Sequence, residues 1–273
     1  MWNPFKIYKY TKAVLARGRQ ENHYDQGEEG TRALRDLYGE MLFPSIFFTA
    51  VALRKTSAGR NALYGLEDKS EEHQLNVYIP KITDGKYLDS LAPNTVGAHY
   101  KHLINQWNFE EFYRRRFQSK KSDTFWNKRR ENFARHIFLS HDFWHVLFRY
   151  DTSPLGEACI QAVTHQYMKQ TGPWYYSWMM AYKEYQETGS WKAFGVIREA
   201  HKLGKQAKRD LYDANFDDLL EMDIEEVREK WNIGAPHKFY EYAEEFPKEF
   251  RGDCLHPKYN DPQIKWDVRE AIL

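Results

Sequence analysis

"HDFWHVLFRYDTSPLGE", residues 141–157, is the stretch on which the rest of the chain turns. It holds two histidines and an aspartate within five residues, a run of large apolar side chains, a break at Asp151-Thr152-Ser153-Pro154, and a glutamate just beyond the break. The apolar run predicts a helix over about 130–150, rich in Phe, Ile, Leu and Trp. Ser153 with Pro154 behind it marks the N-cap and first position of a second helix. A serine hydroxyl accepts an N–H that a helix start leaves unbonded, and proline has no N–H to leave over. Two helices joined by so short a break form an antiparallel hairpin.

In a helix His141 and His145 lie about 40° apart, one turn above the other, so both imidazoles can reach one ion. Asp142 sits about 60° from His145 and either ligates directly or orients a ligand. The returning helix runs back along about 7.5 Å of rise and brings Glu157 to face the histidines. His141, Asp142, His145 and Glu157 are therefore the metal-ligand candidates, with Asp142 and Glu157 also the catalytic candidates. Two neutral imidazoles and one or two carboxylates suit zinc first; magnesium, manganese and iron are alternatives. An ordinary polar helix face accounts for the same spacing without any ion. The zinc-protease pattern fits less well, because Asp142 stands where a longer glutamate serves as base. A metal phosphohydrolase would need a further upstream histidine, and His136 lies on roughly the opposite face. His165 is either an outer-shell group or a helix-interface residue, and Cys159 points into the core.

Outward from the hairpin the pattern stays helical. In "NTVGAHYKHLINQWNFEEFYRRRF", residues 94–117, Asn94 or Thr95 caps a helix whose apolar positions Val96, Tyr100, Leu103, Ile104 and Trp107 fall on one face. "EGTRALRDLYGEMLFPSIFFTAVALRKT", residues 29–56, reads as one or two helices interrupted near Pro44. The helix after Pro154 is expected to run to about Gln170, ended by Thr171-Gly172-Pro173. Two more helices follow over residues 174–189 and 190–211, divided by Gly189, and a short one over 223–233 capped by Asp223. "LNVYIP", residues 75–80, is the single β candidate. The fold class is all-α: one helical domain over 1–235 with a helix-hairpin metal site, and a peripheral C-terminal tail over 236–273.

The composition agrees. The 273 residues, 42% hydrophobic, suffice for one large core, and a net charge of +1 gives nucleic acid no footing as a partner. Aromatic residues make up 16% of the chain. Trp174, Tyr175, Trp178 and Met179 belong to a dense aromatic–methionine cluster, the kind of adaptable surface that accepts flexible apolar ligands, or else packs as plain core. Two cysteines, Cys159 and Cys254, form no CxxC pair, and a reducing compartment is the simplest reading. No apolar run is long enough to span a bilayer. Residues 1–20 carry five Lys and Arg, no acid and interleaved aromatics: a surface-docked helix, a lipid-lying helix or part of a targeting segment.

The spacing H-D-x-x-H, eleven residues, then E, borne by His141, Asp142, His145 and Glu157 with Gly156 before the glutamate, resembles the signature of the ubiquinone (coenzyme Q) biosynthesis family called Coq-four. "LAPNTVGAHYKHL", residues 91–103, and the stretch 200–233 ending in the E-E-V-R pattern of Glu225 to Arg228 are also similar to it. The likeness covers roughly residues 30–235. Phe138 and Leu139 depart from it, standing where the family carries a charged pair. The resemblance implies an all-helical protein that binds a polyprenyl chain beside the metal. It implies partners too: a polyprenyl lipid or quinone precursor, a membrane surface met peripherally, and other quinone-biosynthesis proteins, with a homodimer left open. The implied location is the cytoplasmic side of the inner membrane in a bacterium, or the matrix side in a mitochondrion. The implied chemistry is oxidative decarboxylation at C1 of a polyprenylated hydroxybenzoate; the alternatives are a non-catalytic lipid-binding scaffold and, further off, a phosphate-ester hydrolase.

Overall fold

The computed structural model describes residues 73–105, 136, 140–168, 171–208, 211 and 214–246, and within them every regular element is helical. The basic segment 1–20, the helices expected over 29–56, residues 106–135 and the tail beyond 246 lie outside the described residues. A π-helical turn, Gln74–Tyr78, runs into α1, Ile79–Thr83. The single β candidate is thus helical. Tyr78 and Ile82 are buried four residues apart while Val77 and Pro80 face solvent, a helical period. Pro80 stands where the π-helical turn gives way to α1. Helix α2, Gly85–Asp89, is capped by the Asp84 side chain.

Helix α3, Val96–Asn105, starts at Thr95, whose hydroxyl accepts from the Ala98 N–H at 3.3 Å. Its other free N–H groups go to a distant part of the chain: Val96 donates to Met222 O at 3.0 Å and Gly97 to Leu220 O at 2.9 Å. Asn94, the other cap candidate, instead bonds Asp223. A side chain at position 97 would place its Cβ 2.9 Å from that same Leu220 oxygen, so glycine is required for the close approach.

The first hairpin helix, α4, is helical over residues 140–148. Phe143, Trp144, Val146, Leu147 and Phe148 have no exposed surface, so from Phe143 onward α4 is apolar nearly all round, as a buried helical turn must be. Each such side chain contributes about 1.5–3 kcal/mol by burial. Phe143 lies flat on Tyr100 of α3, ring centroids 4.4 Å apart, and tilts against Phe216 at 5.3 Å. Phe216 opens a 3-10 turn, Phe216–Leu219.

Helices α5, Pro154–Met168, α6, Thr171–Thr188, and α7, Lys192–Gln206, pack against one another. At the α5–α7 crossing a Cβ on Gly204 would come within 2.8 Å of the Val163 backbone, so only glycine lets the two axes approach this closely. The Ser177 hydroxyl of α6 donates to Ala158 O of α5 at 2.8 Å. Thr171-Gly172-Pro173, expected to end α5, instead opens α6. Gly189, at φ 72°, ends α6 in the left-handed conformation glycine favours.

Asp223 caps α8, Ile224–Lys230, through the N–H groups of Glu225 and Glu226. The tail then forms a helix that the sequence reading lacked: α9, His237–Glu245, packed on α7 with Phe239 and Tyr242 buried. It has no capping side chain of its own; Glu199 of α7 accepts the Lys238 N–H at 2.8 Å. Among the described residues no helix is long and apolar enough to cross a membrane.

Candidate metal centre

His141 and His145 project from α4 toward Glu157 in the first turn of α5. Each imidazole meets its own carboxylate oxygen, His141 Nε2 at 3.2 Å from Oε2 and His145 Nε2 at 3.3 Å from Oε1. The two Nε2 atoms are 3.1 Å apart. One ligand atom from each residue can be chosen so that all three lie within 4.8 Å of one another. Ligands bound to one small cation at about 2.0–2.1 Å sit roughly 3.0–3.4 Å from their neighbours, so these short edges have the spacing of a donor set. Asp142 does not join the converging trio. Its charge acts on His145 and on buried Tyr78 from beside the site.

The tautomer of His145 follows from its other nitrogen. Nδ1 lies 3.0 Å from the Tyr150 carbonyl oxygen, and a carbonyl can only accept, so Nδ1 carries the proton and Nε2 is turned toward Glu157. Tyr150 is brought there by Arg149, whose φ of 61° reverses the chain just past α4. His145 is fully buried, while His141 and Glu157 keep about a quarter of their side-chain surface open, so the site has one sealed wall and one accessible side.

Burial opposes a charged imidazole at His145, but the Glu157 carboxylate, bonded to the same ring, outweighs it and lifts the group to about 9. Burial likewise favours a neutral Glu157, yet the His145 and His141 rings hold its carboxyl well below the usual range. Without a cation the cluster is thus an imidazolium–carboxylate pair. A divalent cation would replace the shared proton and satisfy the same carboxylate.

The turn between the helices is built to place Glu157. Asp151 Oδ1 accepts from the Ser153 N–H and hydroxyl, and the Ser153 hydroxyl accepts from the Gly156 N–H at 3.1 Å. A Cβ at Gly156 would lie 2.1 Å from Asp151 O and 2.2 Å from Asp151 Oδ1. Glycine before the glutamate is therefore a steric requirement of the loop. Cys159 is a buried free thiol, pushed well up by burial and neighbouring acids, and is core as expected. His136 is buried but stands outside the converging donors.

The aromatic candidates lie half-buried on α6. Trp174 stacks on His165 of α5 at 5.0 Å and packs against His201 of α7 at 4.8 Å, which makes His165 a helix-interface residue. The ring contacts continue through Trp178 and Phe194 to Trp191 and Tyr185. Tyr175 and Trp178 pack on the core; Met179 is half-buried and Met180 buried.

These elements define a helical protein in which one buried histidine, one part-exposed histidine and a facing glutamate form a cation-type donor set. The family model for the coenzyme Q (ubiquinone) biosynthesis protein Coq4 matches residues 66–237, and the chain belongs to that family, which places it in ubiquinone biosynthesis. The match starts later than the likeness read from the sequence. The fold is similar to the crystal structure of a protein from Nostoc punctiforme PCC 73102 provisionally assigned to ubiquinone biosynthesis, with a TM-score of 0.54 and 17% identity over 86% of this chain and 100% of that one. Among curated proteins none matches.

Proposed function

We propose that the protein binds a polyprenylated aromatic acid at a divalent cation held by His141, His145 and Glu157, and supports oxidative replacement of the ring carboxylate by a hydroxyl. The observation that carries this reading is the convergence of the three donors with His145 already oriented by the Tyr150 carbonyl. When bound, the cation would supply positive charge to stabilise a carboxylate or phenolate as negative charge develops there. The chain's own residues do the rest. His141 and Glu157, on the open side, admit the substrate's polar head. Asp142, one residue from His141, is the candidate to move the phenol proton. Trp174, Tyr175, Trp178 and Met179 hold the apolar tail.

The reaction needs an oxidant, here dioxygen: the acid, dioxygen and one water give the phenol, carbon dioxide and hydrogen peroxide. Zinc has no redox chemistry, whereas two histidines and one carboxylate also suit ferrous iron. Metal analysis of the purified protein against His145→Ala is the first test, and equal content in both would remove the site. A scaffold reading, in which the same site anchors a lipid head without turnover, is favoured by the ring series that runs out to Trp191, 65% exposed. It expects prenyl-ligand binding with no product from the metal-loaded protein under air. In either case the protein meets the membrane peripherally, on its cytoplasmic or matrix side, beside other enzymes of quinone synthesis.

A further inference from the structure

The E-E-V-R segment of α8 touches none of the three donors, yet it closes the end of the helix that carries two of them. Arg228 is buried, 81 and 82 residues in sequence from its partners. Its Nε donates to Leu147 O at 3.1 Å and its Nη2 to Val146 O at 2.8 Å. These are last-turn carbonyls of α4, which a helix end leaves without partners. The remaining nitrogen, Nη1, donates to Glu225 Oε1 at 2.5 Å. The same carboxylate accepts from Arg149 Nη2, at 2.9 Å to Oε2. Arg149 is the left-handed residue that turns the chain so that the Tyr150 carbonyl meets His145 Nδ1.

The path is continuous. Asp223 and the backbone pairing at Thr95 fix the start of α8. Arg228 and Glu225 then fix the last turn of α4 and the turn beyond it, and the turn fixes the tautomer and direction of His145. A non-glycine residue in the left-handed region carries strain, and the Glu225 ion pair with Arg149 holds it there. We infer that Arg228, with Glu225 and Arg149, is a positioning device for the metal centre, acting through the Tyr150 carbonyl on His145. This rests on the metal reading for its purpose, but not for its geometry.

The test uses the full-length protein and Arg228→Lys, which keeps the charge but cannot span both carbonyls and the carboxylate at once. In the metal-free state, nitrogen-15 NMR of the wild type should show a slowly exchanging His145 Nδ1–H, and the variant should lose it. Zinc affinity, measured by chelator competition, should fall roughly 10–100-fold, the usual effect of removing an orienting partner. A folded variant that keeps both the signal and wild-type affinity overturns the inference. Should Arg228→Lys fail to fold, Glu225→Gln at the exposed carboxylate decides. The signal should broaden and zinc binding weaken several-fold, and no change in either overturns it. Wild-type protein that takes up neither zinc nor ferrous iron sinks the functional reading, while the metal-free NMR signal still decides this one.

Discussion

Around His145 directions are set by single bonds: one carbonyl on Nδ1, one carboxylate on Nε2, one arginine on the helix end. Along α6 and α7 the contacts are ring on ring, from stacked to nearly perpendicular, and the series includes an exposed tryptophan. The first region tolerates little displacement, because a buried polar atom that loses its partner costs about 1–3 kcal/mol. The second tolerates a good deal, because dispersion contacts are numerous and individually weak. An ion needs the former and a flexible apolar chain the latter, so the first region suits a polar head and the second an apolar tail.

The largest effect should come from breaking the hairpin loop. Gly156→Ala drives its methyl into the Asp151 backbone, and a destabilisation of about 3 kcal/mol is expected, with metal uptake lost as Glu157 shifts. Thermal melts and metal content check both. An unchanged melt would mean that the loop is softer than the aromatic side of the molecule.

Next comes the pH response of the metal-free protein. His145 is raised from 6.5 to about 9, so its contribution is full below pH 6.5 and is lost as pH rises through about 9. Glu157 is depressed below 4.5, so its contribution is full above pH 4.5 and is lost as pH falls through its lowered value. Stability from this pair should therefore peak between about pH 4.5 and 6.5, and the melting temperature should decline toward pH 9. Glu157→Gln should flatten both limbs. Added zinc should act in the opposite sense, stabilising more at pH 8 than at pH 6, because ligands must lose their protons to bind it. Melting curves across pH, with and without chelator, separate the cases.

The smallest effect on the fold should be at the most exposed ring of the series. Trp191→Ala should change stability by no more than about 0.5 kcal/mol, since the residue is mostly exposed. It should weaken prenyl-ligand binding by roughly fivefold, about 1 kcal/mol, if the series forms part of the apolar site. Ligand titration followed by tryptophan fluorescence measures this, and wild-type affinity would confine the apolar site to Trp174 and Trp178.

Much of this molecule follows from local pattern. The Ser153, Thr95 and Asp223 caps, the stop at Gly189 and the approach of Glu157 to both histidines need only helical geometry and the chemistry of helix ends, which act over a few residues. Residues 75–80 could not be placed that way. A short apolar run is compatible with strand or helix until its neighbours decide which side chains are buried. Helix α9 was hidden for a related reason, since its cap, Glu199, comes from 39 residues away. The orientation of His145 and the sealing of α4 by Arg228 belong to tertiary structure alone. Both depend on main-chain carbonyls, which are the same in every residue and leave no mark in the sequence until the fold brings a donor to them.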